Sequence, residues 1–133
     1  MEKYLGKFSP QIYALLRIVA GFCFAMHGSQ KLLGWPGDKE AVDIGSMMGV
    51  AGIVELVGGI LIMIGLAASY AAFISSGEMA VAFFMAHIPQ GWNPLVNGGE
   101  LALIYCFLFL FIASRGSGIW SVDAGRKDPA PSL

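Results

Sequence analysis

The sequence predicts an all-α membrane protein, a transmembrane antiparallel four-helix bundle with both termini in the cytoplasm. Three observations predict this fold: 56% of the 133 residues are hydrophobic, only 13% are charged, and the mean hydropathy is +0.69. Soluble domains contain about 25% charged residues, so this chain could not cover itself with a soluble surface. The composition excludes a soluble enzyme, a disordered tail and a disulfide-rich secreted domain. The net charge of −1 gives no electrostatic reason to expect a nucleic-acid partner.

Four apolar stretches approach the roughly 20 residues that a transmembrane helix needs. They cover residues 10–28, 47–68, 70–88 and 97–114. Because almost no loop separates the second stretch from the third, these two should form a tight antiparallel hairpin. The chain is therefore predicted to be a single membrane domain, in which residues 115–133 form a short cytoplasmic tail.

Lysine and arginine are distributed unequally between the two sides of the predicted bundle. The side of the termini carries Lys3, Lys7, Arg115, Arg126 and Lys127. The side of the two longer loops carries Lys31 and Lys39. Because cytoplasmic loops are enriched in these residues, both termini should be inside. The protein is predicted to be a multi-pass protein of the bacterial cytoplasmic (inner) membrane, in contact with its lipid.

Three ionisable side chains lie deep in the predicted spans: Arg17, Glu55 and Glu78. Each is about 10–12 Å from the end of its span at 1.5 Å per residue. Such residues are costly in lipid and are candidates for function, so they should meet inside the bundle. Two carboxylates that share one arginine should not both ionise. This buried charge cluster is interpreted as a proton-bearing or ligand-binding site. The alternative is a structural ion pair that holds the helix register.

A stripe of small residues on the second span predicts close contact with another helix. At 100° per residue, one narrow face contains Gly45, Gly49, Gly52, Leu56 and Gly59. Glu55 lies at the edge of this face, which favours an inward-facing carboxylate.

A second group of polar residues gathers at the outer ends of the spans. This outer polar cluster consists of His27, Gln30, Lys31, His87, Asn97 and Glu100. A metal ion could take His27, His87 and Glu100, although no metal-binding spacing within one helix supports it. A haem could lie between the two histidines. The alternative is that each histidine is an interfacial residue that caps a helix or bonds a backbone group.

A quinone, or a similar small molecule with a polar head and an apolar body, is the favoured ligand of the outer polar cluster. His27, Gln30 and Lys31 could hold its carbonyl oxygens. The aromatic side chains expected to form its walls are Phe83, Phe84 and Phe107.

A series of short motifs runs through the chain. They are Leu16-Arg17-Ile18, His27-Gly28-Ser29-Gln30-Lys31-Leu32, Glu55 with Gly58-Gly59, Gly77-Glu78-Met79-Ala80-Val81-Ala82, His87, Asn97-Gly98-Gly99-Glu100, Gly116-Ser117-Gly118 and Trp120-Ser121-Val122-Asp123. In this order and spacing, from Tyr13 to Ala124, the chain resembles the DoxX family of small four-helix membrane proteins. The family takes its name from a subunit linked to thiosulfate:quinone oxidoreduction, and other members look like membrane partners of redox or detoxifying enzymes.

The resemblance favours a redox-associated membrane subunit that binds quinone in a polar site inside the bundle, as part of a quinone-linked oxidoreductase if it takes part in catalysis. The buried charge cluster would relay a proton and the outer polar cluster would hold the ligand, while no residue is assigned a catalytic role. One alternative is a transporter of small molecules, ions or protons. Another is a structural subunit that docks a soluble or membrane redox partner. Four short helices make a narrow bundle, so a homo-oligomer is also expected to be feasible.

Overall fold

Seven α-helices form most of residues 1–126, the part of the chain that the computed structural model describes. They are α1 (Glu2–Leu5), α2 (Ser9–Leu33), α3 (Met47–Ile64), α4 (Ala68–Ala82), α5 (Pro94–Asn97), α6 (Glu100–Arg115) and α7 (Val122–Arg126). A 3₁₀ turn over Gly6–Phe8 joins α1 to α2. The α4 helix continues through a π-helical segment, Phe83–His87, into a 3₁₀ turn, Ile88–Gln90. No strand occurs in residues 1–126, so the all-α prediction is confirmed there. Residues 127–133 of the predicted tail, Lys127 among them, lie outside the described residues.

Three helical stretches are long and apolar enough to cross a membrane: Glu2–Leu33, Met47–Ile64 and Ala68–Gln90. The fourth predicted span corresponds to α6, which has 16 residues. At 1.5 Å per residue, α6 measures about 24 Å, less than the roughly 30 Å of a hydrocarbon core. It starts late because Gly98, with a φ of 75°, interrupts the helical backbone just before it.

The α2 helix is longer than the predicted first span, which ends at residue 28. No helix-breaking residue follows until Gly34, whose φ of 72° ends the helix while its N–H donates to the Gln30 carbonyl oxygen. Lys31 therefore belongs to the last turn of a helix and not to a loop. At the other end of the molecule, α3 ends at Ile64 and residues 65–67 turn the chain into α4.

The α2 and α3 helices pack together through glycines. A Cβ added to Gly28 would lie 2.6 Å from the Gly52 carbonyl oxygen, and one added to Gly59 would lie 2.7 Å from the Gly21 carbonyl oxygen. Residues without side chains are what allow two backbones to approach this closely. The predicted contact stripe is thus confirmed at Gly52 and Gly59, whereas Gly45 precedes α3 and is exposed.

The α4 helix packs on both α3 and α6, and aromatic rings join α2 to α6. The Phe24 ring centroid lies 4.6 Å from that of Phe109 and 5.4 Å from that of Tyr105. Phe24 and Phe109 are fully buried. This aromatic group fixes the spacing of the helices that surround the site.

Candidate functional site

The two deep glutamates occupy matching positions on α3 and α4. These antiparallel helices touch where a Cβ on Gly58 would lie 2.7 Å from Ser75 Oγ. Glu55 on α3 and Glu78 on α4 each lie three residues, nearly one helical turn, from this contact. Both lie on its outward side, toward the end of the bundle that carries the α2–α3 loop. Both glutamates line one cavity. The structure therefore brings these two predicted residues together.

A salt bridge joins Lys31 to Glu55. Lys31 Nζ lies 2.5 Å from Glu55 Oε1, and the Glu55 side chain is only 3% exposed. The pair can form because α2 continues to Leu33 and the glycine contact holds α2 close to α3. Lys31, predicted at the membrane surface, thus balances a charge inside the protein.

Arg17 lies apart from the two glutamates, which corrects the predicted three-residue charge cluster. Its guanidinium donates hydrogen bonds to the carbonyl oxygens of Ile62 and Met63, at 2.8 and 2.7 Å. It also donates to those of Ile119 and Trp120, at 3.3 and 2.7 Å. The last carbonyls of a helix lack partners within the helix and favour a cation nearby. The C-terminal end of α3 therefore binds Arg17, whereas Glu55 pairs with Lys31.

Glu78 carries a buried carboxyl group. Neither of its oxygens is exposed, and neither has a hydrogen-bond partner among residues 1–126. The same is true of Glu55 Oε2. Because buried polar atoms in proteins are normally hydrogen-bonded, these oxygens can accept a bond from a ligand or carry a proton.

The cavity that contains these groups has a volume of about 730 Å³, within the roughly 300–1,000 Å³ of small-molecule sites. All four long helices contribute to its wall, which consists mostly of apolar side chains. Its polar side chains are His27, Lys31, Ser46, Glu55, Glu78, His87 and Tyr105. Members of the buried charge cluster and of the outer polar cluster therefore share one site.

His87 reaches the cavity from the end of the π-helical segment. A Cβ on Gly99 would lie 2.8 Å from His87 Cβ and from Phe83 Cδ2, so this glycine makes room for both rings. His87 Nδ1 lies 3.1 Å from the Asn97 carbonyl oxygen. A carbonyl only accepts hydrogen bonds, so Nδ1 carries the hydrogen and Nε2 of the neutral ring is an acceptor.

Three residues of the predicted outer polar cluster do not line this cavity. Gln30 Nε2 donates to the Pro36 carbonyl oxygen at 2.9 Å, and Asn97 Nδ2 donates to that of Gly91 at 2.8 Å. These two amides hold loop backbones in place. Glu100 is exposed and borders a separate surface recess. The outer polar cluster is thus divided between structural and cavity-lining residues.

The metal trio suggested by the sequence is not assembled. His27 and His87 line the cavity, but Glu100 borders the other recess. Across the described chain, no three His, Cys, Asp or Glu side chains are placed to hold a metal ion. The α5 turn and Gly98 lie between His87 and Glu100, the first residue of α6. Glu100 therefore lies away from the two histidines.

The cavity wall also differs from the expected one. Phe83 is buried in the core, while two other expected wall residues, Phe84 and Phe107, are exposed. The aromatic wall residues are instead Phe24 and Tyr105. Tyr105 was missed as a site residue, although a hydroxyl in the middle of an apolar stretch was a signal that could have identified it.

Comparisons with known proteins agree with the resemblance. The model of the DoxX family matches residues 12–88. A Haemophilus influenzae protein described as uncharacterized is 44% identical over 126 residues, which are 90% of this chain and 93% of that protein. A second uncharacterized protein of that organism is 30% identical over 78 residues, 59% of this chain and 52% of that protein. No solved structure gives a significant match.

Proposed function

This chain belongs to the DoxX family of membrane proteins, and we propose that it is a redox-associated subunit whose cavity binds a quinone or a similar small molecule. The observation that carries the proposal is the Glu78 carboxylate, which lies without a hydrogen-bond partner from residues 1–126 in a mostly apolar cavity. A ligand with one polar end and an apolar body satisfies both features.

The polar groups of the cavity suit both redox forms of a quinone. The hydroxyl groups of a quinol can donate to Glu78, or to Nε2 of His87 in its neutral form. The carbonyl oxygens of the oxidised form can accept from the Lys31 ammonium or the Tyr105 hydroxyl. The apolar wall accommodates the ring and its tail. A partner protein would exchange electrons with the bound quinone.

The proposed setting is a bacterial inner membrane that α6 crosses as a fourth span, with both termini in the cytoplasm. Large apolar side chains on the outer face of α6 support this arrangement, because they need lipid contact. They are Leu101, Ile104, Phe107, Leu110 and Phe111. Local thinning of the bilayer or snorkelling of Arg115 can accommodate a helix of about 24 Å.

Quinone binding can be measured directly on the purified protein. We would load liposomes with decylubiquinol, kept reduced under nitrogen, add the protein, re-isolate it in mild detergent and quantify the bound ligand by mass spectrometry. Wild-type protein should retain the quinol. Glu78→Gln should weaken quinol binding by about tenfold, because the charge-assisted hydrogen bond that a quinol hydroxyl donates to the carboxylate becomes a neutral one.

Glu100→Gln is the matched control, since it makes the same change on an exposed residue outside the cavity. It should bind quinone like the wild type. Failure of the wild type to retain quinone, or equal retention by Glu78→Gln, would contradict the proposal. Proton or solute flux in liposomes that contain no quinone would instead support a transporter.

A further inference from the structure

The cavity extends to the side where the outer halves of α3 and α4 face each other. Ala51 on α3 and Ala82 on α4 each lie seven residues outward from the contact of Gly58 with Ser75. A step of seven residues is almost two full turns, so each alanine lies on the same face as the contact. Both alanines line the cavity. Because these side chains are small, they leave room for a passage between the outer halves of the two helices.

Apolar side chains border this passage. Met48 on α3 and Met85 in the π-helical segment lie ten residues outward from the same contact. Both line the cavity, yet Met48 is 51% exposed and Met85 is 56% exposed. Val50 and Val81 also line the cavity and are also exposed. A side chain that faces both the cavity and the exterior lies at the rim of an opening. All four rim residues, Met48, Met85, Val50 and Val81, are apolar.

The charges lie behind this rim. Glu55 is buried and the Glu78 oxygens are inaccessible, whereas the four rim residues carry no charge. An opening for water-soluble solutes would need polar groups at its mouth. We infer that the passage between Ala51 and Ala82 is a lateral portal, through which a ligand dissolved in the membrane reaches Glu78 directly from the lipid. The inference rests on the proposed function for the class of ligand, but the existence of the portal can be tested without it.

The portal predicts which small molecules reach Ala82. A nitroxide on Ala82→Cys, in a background with Cys23→Ala and Cys106→Ala, would be studied by electron paramagnetic resonance in liposomes. Its signal should be relaxed by oxygen, which dissolves in lipid, and not by a water-soluble nickel chelate. Phe84→Cys, exposed and outside the cavity, is the lipid control, and Asp38→Cys in the α2–α3 loop is the water control. Relaxation by the nickel chelate, or by neither agent, would overturn the portal.

Closing the portal should slow ligand exchange. A thiol cross-linker between Met48→Cys and Met85→Cys, in the same cysteine-free background, would bridge the rim. The rate at which decylubiquinone enters from liposomes should fall by about tenfold or more, as for a closed lid, and cleavage of the linker should restore it. The control pair Ile64→Cys and Tyr70→Cys links the same helices at their inner ends. Unchanged exchange in the cross-linked rim pair contradicts the portal. Absence of quinone binding in every variant contradicts the proposed function instead, and the resonance measurement then decides on the portal alone.

Discussion

Lys31 Nζ of α2 lies 2.5 Å from Glu55 Oε1 of α3, and this contact separates the roles of the two deep glutamates. Glu55 is paired through one oxygen, whereas neither oxygen of Glu78 has a hydrogen-bond partner within the described residues. The cavity therefore has one carboxylate that is held by the protein and one that is available to a ligand. Arg17, the other deep charge, stabilises the opposite end of α3.

Removal of Lys31 should destabilise the protein. Lys31→Met leaves the buried Glu55 carboxylate without its cation, and we expect a loss of about 3 kcal/mol in the free energy of unfolding, as for other broken buried pairs. Unfolding in mixed detergent micelles would measure it. The double variant Lys31→Met with Glu55→Met should recover most of the loss, since no isolated charge remains. A double variant as unstable as the single one would show that the pair is not what Lys31 contributes.

Neutralising Glu78 should stabilise the empty protein. Glu78→Gln keeps the shape of the side chain but removes a buried ionisable group whose oxygens have no hydrogen-bond partner in residues 1–126. We expect a gain of about 1 kcal/mol in the free energy of unfolding, together with the weaker quinone binding described above. Glu100→Gln should change neither quantity, because Glu100 is exposed. Loss of stability in Glu78→Gln would mean that the carboxylate has a structural partner.

The glycines between α2 and α3 should not tolerate a methyl group. In Gly59→Ala the new Cβ would meet the Ala25 backbone and lie 2.7 Å from the Gly21 carbonyl oxygen. The helices would have to move apart, at a cost of about 1–3 kcal/mol in unfolding free energy. Gly77→Ala is the control, because this exposed glycine in α4 has no atom within 4 Å of an added Cβ. It should stabilise the helix by about 0.5–1 kcal/mol. Equal effects of the two substitutions would contradict the close contact.

Arg17→Lys should loosen the segment that follows α6. A lysine ammonium cannot match the planar guanidinium that donates to four carbonyl oxygens from two parts of the chain. We expect a loss of about 2 kcal/mol in unfolding free energy and faster hydrogen exchange in residues 116–126. Arg115→Lys, the same substitution at an exposed arginine stacked on Tyr13, should have a smaller effect. Quinone binding should be unchanged in both variants. Weaker quinone binding in Arg17→Lys would show that Arg17 contributes to the ligand site after all.

Parts of the site could be predicted from the sequence because their physical signal is local. A carboxylate in the middle of an apolar helix must avoid lipid, so the interior positions of Glu55 and Glu78 followed from hydropathy alone. The glycine stripe likewise indicated a close helix contact. Neither the hydropathy nor the glycine stripe tells which residue a buried charge will pair with, because helix pairing and register depend on residues distant in the sequence. For that reason Arg17 was assigned to the glutamates and Lys31 to the membrane surface.

The sequence by itself determined that this protein is helical and resides in a membrane, because composition and hydropathy depend only on which residues are present. It also identified the ionisable residues that are unfavourable in lipid and are therefore candidates for a function. The tertiary structure decided which of them meet. The length of α2, the glycine contact with α3 and the break at Gly98 and Gly99 bring Lys31, His87 and the two glutamates to one cavity and turn Glu100 away. These are distances between separate helices, and only packing sets them.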